Sequence, residues 1–321
     1  MWRNLVPFSC ACSCFQVVWR LDGSVKRMLL SNSGELWWHR YRDALSPELI
    51  AAVVKLMTND ELATITTTYF NPLQGATVQD PVTVGSPTHL GSCIQANNPH
   101  DNEEEILFTV LEGLTYGCGD VLIGLTPANH NAETIVRLAG LLGTILQRLN
   151  LPTRFCLMTG ISAQTEARAH IKMDVAFQSL AGSSSALWTM TGLNADELLE
   201  LVSSFDGVCF ETGQGSELLS NAAEGVDMAT LEARAFGFAR CVRLHLEQRH
   251  QRPAWLVVNS LVGLNSQQAF RTEAQVLRAS LESVATAKLH GLSAGLDVCT
   301  TFQSGIEPAA LRANSSSASG S

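Results

Sequence analysis

Residues 207–216, Gly-Val-Cys-Phe-Glu-Thr-Gly-Gln-Gly-Ser, read as a buried strand, Gly207 to Phe210, that stops at an acid, Glu211, and a glycine-punctuated turn. A carboxylate at the mouth of a buried strand is costly unless a cation or hydrogen-bond donor meets it, so this one points to a ligand. The same pattern recurs on both sides. Strands are expected at Val121–Leu125, Arg154–Met158, Val175–Gln178, Trp255–Val258 and Gly295–Cys299, and a seventh around Val82–Ile94. Helices are expected between them: Ala132–Leu149, with Ile135, Leu138, Leu142, Ile145 and Leu149 on one stripe; Gln164–His170; one from Ala195 behind an Asn194 cap; Met228–Gln248; and Thr272–Leu289. An earlier helix opens at Ser46-Pro47-Glu48, a capping hydroxyl followed by proline in the first turn.

Repeated β–α units with continuously apolar strands specify a parallel sheet covered by helices. Neither G-x-G-x-x-G nor G-x-x-x-x-G-K-[ST] follows a strand, which argues against a dinucleotide or nucleotide fold. Polar residues gather where strands end: Thr126, Ser179, Glu211, Asn259 and Asp297. That suits a barrel whose site is built at the C-terminal mouth. The expected fold is α/β, a (β/α)8 TIM-type barrel over residues 46–312. An irregular extension, 1–45, precedes it, and a disordered Ser-rich tail, 313–321, follows. Nothing after Asp297 reads as a last strand and helix, so the barrel is expected to be incomplete at its C-terminal end.

The 321 residues are 46% hydrophobic and 16% charged, enough for a large core. A net charge of -9 argues against a nucleic-acid groove. Cys118, Cys156, Cys209, Cys241 and Cys299 are scattered singly through apolar segments, as reduced thiols of a cytoplasmic protein are. Cys10, Cys12 and Cys14 alternate, which is no zinc spacing. His245 and His250 lie five apart in a polar context and make no ligand pair, so no protein-held metal is expected. The apolar run 5–19 is too short for a membrane span.

Several stretches together resemble the large subunit of ethanolamine ammonia-lyase: Ile94-Gln-Ala-Asn97, Gly113-Leu-Thr-Tyr-Gly-Cys-Gly-Asp120, Phe177-Gln-Ser179, Phe210 to Ser216, Leu231-Glu-Ala-Arg234, Lys288-Leu-His-Gly291 and Leu296-Asp-Val-Cys299. Their order and spacing fit over about residues 45–312. The resemblance implies a β/α barrel that uses adenosylcobalamin, and hence cobalt, to convert ethanolamine to acetaldehyde and ammonia by radical chemistry. It implies a small-subunit partner, a homo-oligomer, and a cytoplasmic location that can include a bacterial microcompartment. It assigns Glu211 and Asp297 to catalysis, Gln95, Glu211 and Asp297 to the substrate, and Thr126, Pro127 and Ser179 to the cofactor.

Taken alone, Glu211 reads equally as a cap for the next turn, Gln95 as a loop hydrogen-bonder, Asp297 as half of a core ion pair and Ser179 as a turn hydroxyl. The chain also departs from the family. Cys93 stands where the family has arginine, Thr126 where it has asparagine and Leu264 where it has phenylalanine. Neither Trp188 nor Thr189 supplies the acid expected near the cofactor's ribose. A thiol provides neither the charge nor the donor fork of a guanidinium. The alternative reading is therefore a non-catalytic homologue, a fragment or a degenerate copy, serving as an assembly or binding subunit. An unrelated barrel lyase or isomerase acting on a small amine is a third.

Overall fold

A computed structural model describes residues 14–69, 71, 84, 91–117, 121–213, 225–262 and 272–298. Four helices come first: α1 (Cys14–Leu29), α2 (Gly34–Tyr41), α3 (Pro47–Lys55) and α4 (Asn59–Thr68). Strands and helices then alternate: β1 (Ser92–Gln95), α5 (Glu103–Thr115), β2 (Val121–Leu125), α6 (Ala132–Arg148), β3 (Phe155–Leu157), α7 (Ile161–Ala167) and β4 (Val175–Ser179). After them come α8 (Ser184–Thr191), α9 (Ala195–Val202), β5 (Gly207–Gly213), α10 (Met228–His250), β6 (Trp255–Val262), α11 (Glu273–Leu289) and β7 (Ser293–Val298).

All strand pairs are parallel, and they form two sheets, ordered β1-β2-β3 and β4-β5-β6-β7. The parallel α/β architecture and six of the expected strands are present; the seventh, expected around Val82–Ile94, is met only at its end by β1 (Ser92–Gln95), and most of that stretch lies outside the described residues. A closed eight-stranded barrel is not seen among the described residues, and the segment after Val298 lies outside them.

Alternation along each strand sorts residues to two faces. Ile123, Leu157, Ala176, Val208, Phe210 and Val258 join the core under the helices. Leu122, Cys156, Phe177, Cys209, Trp255 and Val257 form a second cluster on the opposite face, drawn from both sheets. The two sheets therefore share one inner face although no ladder joins β3 to β4.

Two glutamines bridge that seam. Gln164, fully buried, donates Nε2 to the carbonyls of Thr159 (2.6 Å) and Phe177 (2.7 Å), and its Oε1 accepts from the Phe177 N–H at 3.0 Å. Gln178 Oε1 accepts from the Ile161 N–H at 3.0 Å. A side-chain amide offers the same donor and acceptor as a peptide, so it can stand in for a missing strand partner.

Helix starts follow from capping chemistry. Ser46 accepts from Leu49 N ahead of Pro47, as the sequence signal predicts. Asn131 caps α6, and Asn194 with Glu197 forms a capping box on α9.

Residues 14–44 correct one expectation. They hold α1, α2 and a 3-10 turn at Arg42–Ala44 rather than an irregular extension. Long-range contacts organise them: Trp38 Nε1 donates to the Leu289 carbonyl at 3.0 Å, and Tyr69 Oη to the Leu29 carbonyl at 2.6 Å. Arg243 on α10 bonds Asp43 at 2.7 Å and Glu247 at 3.0 Å. A separate apolar cluster, including Trp38, Ile50, Val54, Leu62, Ile65 and Leu289, fastens α1–α4 to α11. No helix among the described residues is long and apolar enough to cross a membrane.

Candidate functional site

The strand carrying Glu211 runs further than its sequence suggests. Glu211, Thr212 and Gly213 pair with Asn259, Ser260 and Leu261 of β6, so the acid sits within the upper end of β5 and not at a turn. Residues 214–216 of the opening motif lie outside the described residues. Because Phe210 enters the helix-side core, Glu211 faces the inner side together with Cys209.

Register lines up a row of inner residues. Ser179 pairs with Glu211, Glu211 with Asn259 and Asn259 with Gly295; Asp297 stands one pleat higher on β7, opposite Leu261. Ser179 hydrogen-bonds the Glu211 carboxyl. Both acids are held above their ordinary values: Glu211 by burial and then by the charge of Asp297, Asp297 by burial. Neither makes an ion pair with any described residue. The readings of Glu211 as a turn cap and of Asp297 as half of an ion pair thus find no counterpart among the described residues.

The other sheet supplies the facing wall. Gln95 is exposed at the end of β1, and its Nε2 reaches Met158 Sδ at 3.6 Å. Thr126 Oγ1 reaches the same sulfur at 3.6 Å. Gly124 makes room for them, since a Cβ there would lie 2.8 Å from Met158 Cε and 3.2 Å from Cys93 Sγ. Cys93 is exposed at the surface, yet enough protein surrounds it that burial pushes its thiol up; a place on the wall of a hollow explains both. Neighbouring Cys156 and the charges of Asp297 and Glu211 raise it further. Deeper in, the Cys156 thiol hydrogen-bonds Cys209 and is raised by that contact and by burial.

Loop contacts set the mouth. The Thr126 N–H donates to Asn97 Oδ1 at 2.8 Å, and buried Asp101 accepts from Ala128 N (2.8 Å) and Asn129 N (3.1 Å). They hold the turn that contains half-buried Thr126 and buried Pro127. His130 Nδ1 meets Thr159 Oγ1 at 2.8 Å, tying the next turn to it. Trp188 projects from α8 with 58% of its surface exposed.

The structure thus brings Ser179, Glu211 and Asp297 together on one sheet. Gln95 and Thr126 stand on the other, joined through Met158. Leu264 lies outside the described residues. Cys93, Met158 and Asn259 belong to this space but were not among the site residues assigned from sequence. Their signal was period-two spacing: Cys93 lies two before Gln95, Met158 two after Cys156, and Asn259 two after Val257. Among the described residues no group of three or more His, Cys, Asp or Glu side chains could hold a metal ion.

The ethanolamine ammonia lyase large subunit (EutB) family matches residues 13–309 of this chain. The ethanolamine ammonia-lyase large subunits of Escherichia coli (strain K12) and Salmonella typhimurium (strain LT2) are each 30% identical over 269 residues, covering 81% of this chain and 56% of theirs. The chain thus spans about half the length of those relatives. A catalytic-site mutant of active domain 2 of a thermostable chitinase from Pyrococcus furiosus aligns over 75% of this chain and 77% of its own, at 14% identity and a TM-score of 0.35, a likeness too slight to carry an argument.

Proposed function

This chain belongs to the ethanolamine ammonia-lyase large subunit family, and from that premise we propose that its inner face binds the ammonium of ethanolamine for conversion to acetaldehyde and ammonia. The observation that carries the proposal is the pair Glu211 and Asp297, two under-compensated acids that no cationic side chain meets among the described residues. A small ammonium supplies the missing charge and several N–H donors. Ser179 orients Glu211, and Gln95 offers a neutral amide from the facing wall. The seven parallel strands and their shared inner face support a (β/α)8 barrel as the scaffold.

The residues at the mouth fit adenosylcobalamin. Among the described residues Thr126 Oγ1 makes one long contact, to sulfur, and the Ser179 hydroxyl, while donating to Glu211, still accepts; both are available to polar groups of a ribose or corrin. Trp188 offers a flat apolar surface nearby in sequence to β4. When bound, the cofactor supplies homolytic cobalt–carbon chemistry, while the protein positions the substrate and excludes water. A small subunit completing this site, assembly into a homo-oligomer and residence in the cytoplasm or a microcompartment are parts of the same proposal.

A second reading, a binding or assembly subunit without turnover, is favoured by Cys93. Its raised thiol is neutral where the family's arginine would place a cation.

Calorimetric titration with ethanolamine, alongside acetaldehyde assay with adenosylcobalamin and the small subunit, tests both. Glu211→Gln is expected to weaken ethanolamine binding about 10- to 100-fold, the loss of a charge-assisted hydrogen bond of ~1.5–3 kcal/mol. Unchanged affinity would refute the ammonium site. Binding without acetaldehyde, restored to turnover by Cys93→Arg with Thr126→Asn, would favour the second reading.

A further inference from the structure

We propose that Asn259 is a substrate-contacting specificity residue, its carboxamide oxygen accepting an ammonium N–H between Glu211 and Asp297 and so selecting primary amines. The inference rests on the ammonium reading of this site and adds a residue to it.

Three observations place the group. Asn259 is the direct register partner of Glu211 on one side and of Gly295 on the other, and Asp297 is its diagonal neighbour on the same face. Neighbouring strands lie about 4.8 Å apart, so the strands of Glu211 and Asp297 stand about 9.6 Å apart with that of Asn259 midway, and a cation held between the two acids lies over its side chain. The carboxamide is also turned in a defined direction. A Cβ on Gly295 would lie 2.0 Å from Asn259 Oδ1, so this oxygen occupies the space that a side chain at 295 would fill. Finally, among the described residues the one side-chain hydrogen bond of Asn259 is long, from Nδ2 to Cys209 Sγ at 3.7 Å. That contact draws the nitrogen to the β5 side, and the oxygen, an acceptor with two lone pairs, lies over Gly295 on the β7 side, two residues before Asp297 on the same face.

The chemistry follows from counting donors. A primary ammonium carries three N–H groups, and Glu211, Asn259 and Asp297 offer an acceptor each on one wall. Replacing N–H groups by methyls removes donors and leaves an acceptor unmet, which a site built on hydrogen bonds penalises. A neutral oxygen between two acids also avoids a third negative charge.

The test is calorimetric binding of ethanolamine and of N,N-dimethylethanolamine to the full chain and its variants. The wild type is expected to prefer ethanolamine. Asn259→Ala should weaken ethanolamine about tenfold and leave the dimethyl compound unchanged, so the preference collapses. Gly295→Ala, which keeps the amide but displaces its oxygen, should collapse the preference in the same way. It serves as the second variant should Asn259→Ala fold poorly by circular dichroism. Equal losses for both ligands, or a preserved preference in either folded variant, overturn the role of Asn259. Glu211→Gln separates the two levels of inference. If Glu211→Gln weakens both ligands while Asn259→Ala changes neither, only the Asn259 assignment fails. If the wild type binds neither ligand, or Glu211→Gln has no effect, the ammonium site fails and this assignment with it.

Discussion

Replacing Gln164 with methionine asks what joins the two sheets. Gln164 is fully buried and satisfies three backbone groups at the seam, the carbonyls of Thr159 and Phe177 and the N–H of Phe177. Methionine has similar volume and leaves little cavity, so the cost comes from those orphaned groups. Each buried, unsatisfied group costs ~1–3 kcal/mol, which sums to about 3 kcal/mol even at the lower bound. At about 2.1 cal/mol/K of unfolding entropy per residue, each kcal/mol moves the midpoint of this 321-residue chain by about 1.5 °C, so Tm should fall by about 4–5 °C. Urea titration followed by circular dichroism, with a parallel thermal scan, measures both. Phe177 lies two residues before Ser179, so ethanolamine affinity should also fall in the folded variant at temperatures well below its Tm. A stability loss under ~1 kcal/mol would show that the seam is held by apolar packing and that the amide bridge is incidental.

Two further outcomes are expected. Glu211 and Asp297 are raised from ordinary values of 4.5 and 3.8, so the free fold binds more protons than the unfolded chain just above those values. Their contribution to stability is therefore greatest in acid and is lost as pH rises through the raised values, whereas ethanolamine affinity climbs over the same window because the ligand needs ionised carboxylates. Calorimetry across pH 4–8 checks this, and an affinity that falls with rising pH would contradict it. In Arg243→Met, Asp43 and Glu247 lose their shared partner but stay partly solvated, so the cost is expected at about 1–3 kcal/mol. Hydrogen exchange should show lost protection in α2 and the 3-10 turn, with β4–β7 unaffected.

Much of the fold was legible because apolar runs in β2, β4 and β6 are continuous and their helices carry clear stripes. The length of β5 was not legible, because Glu211-Thr212-Gly213 is strand only through its pairing with β6. α4, with four threonines, and α8, Ser-Ser-Ala-Leu-Trp-Thr-Met-Thr, lack strong helix propensity and went unread. The helices in 14–44 lean on partners some 200 residues away, such as Arg243 and Leu289, which no local window contains. At the site, the two acids announced themselves as polar groups on buried strands. Asn259 carried the same signal, but its relation to Glu211 and Gly295 depends on register, and register is a property of three strands at once.

The packing of α1–α4 against α10 and α11 has a consequence in time. During synthesis the first four helices emerge long before α11 begins at Glu273. At ~5–20 residues per second, the roughly 200 residues between α4 and α11 take about 10–40 s to appear. For that interval Trp38, Ile50, Val54, Leu62 and Ile65, all buried in the finished protein, lack their final cover. Slowing translation before α11 should therefore lower soluble yield more than slowing it afterwards.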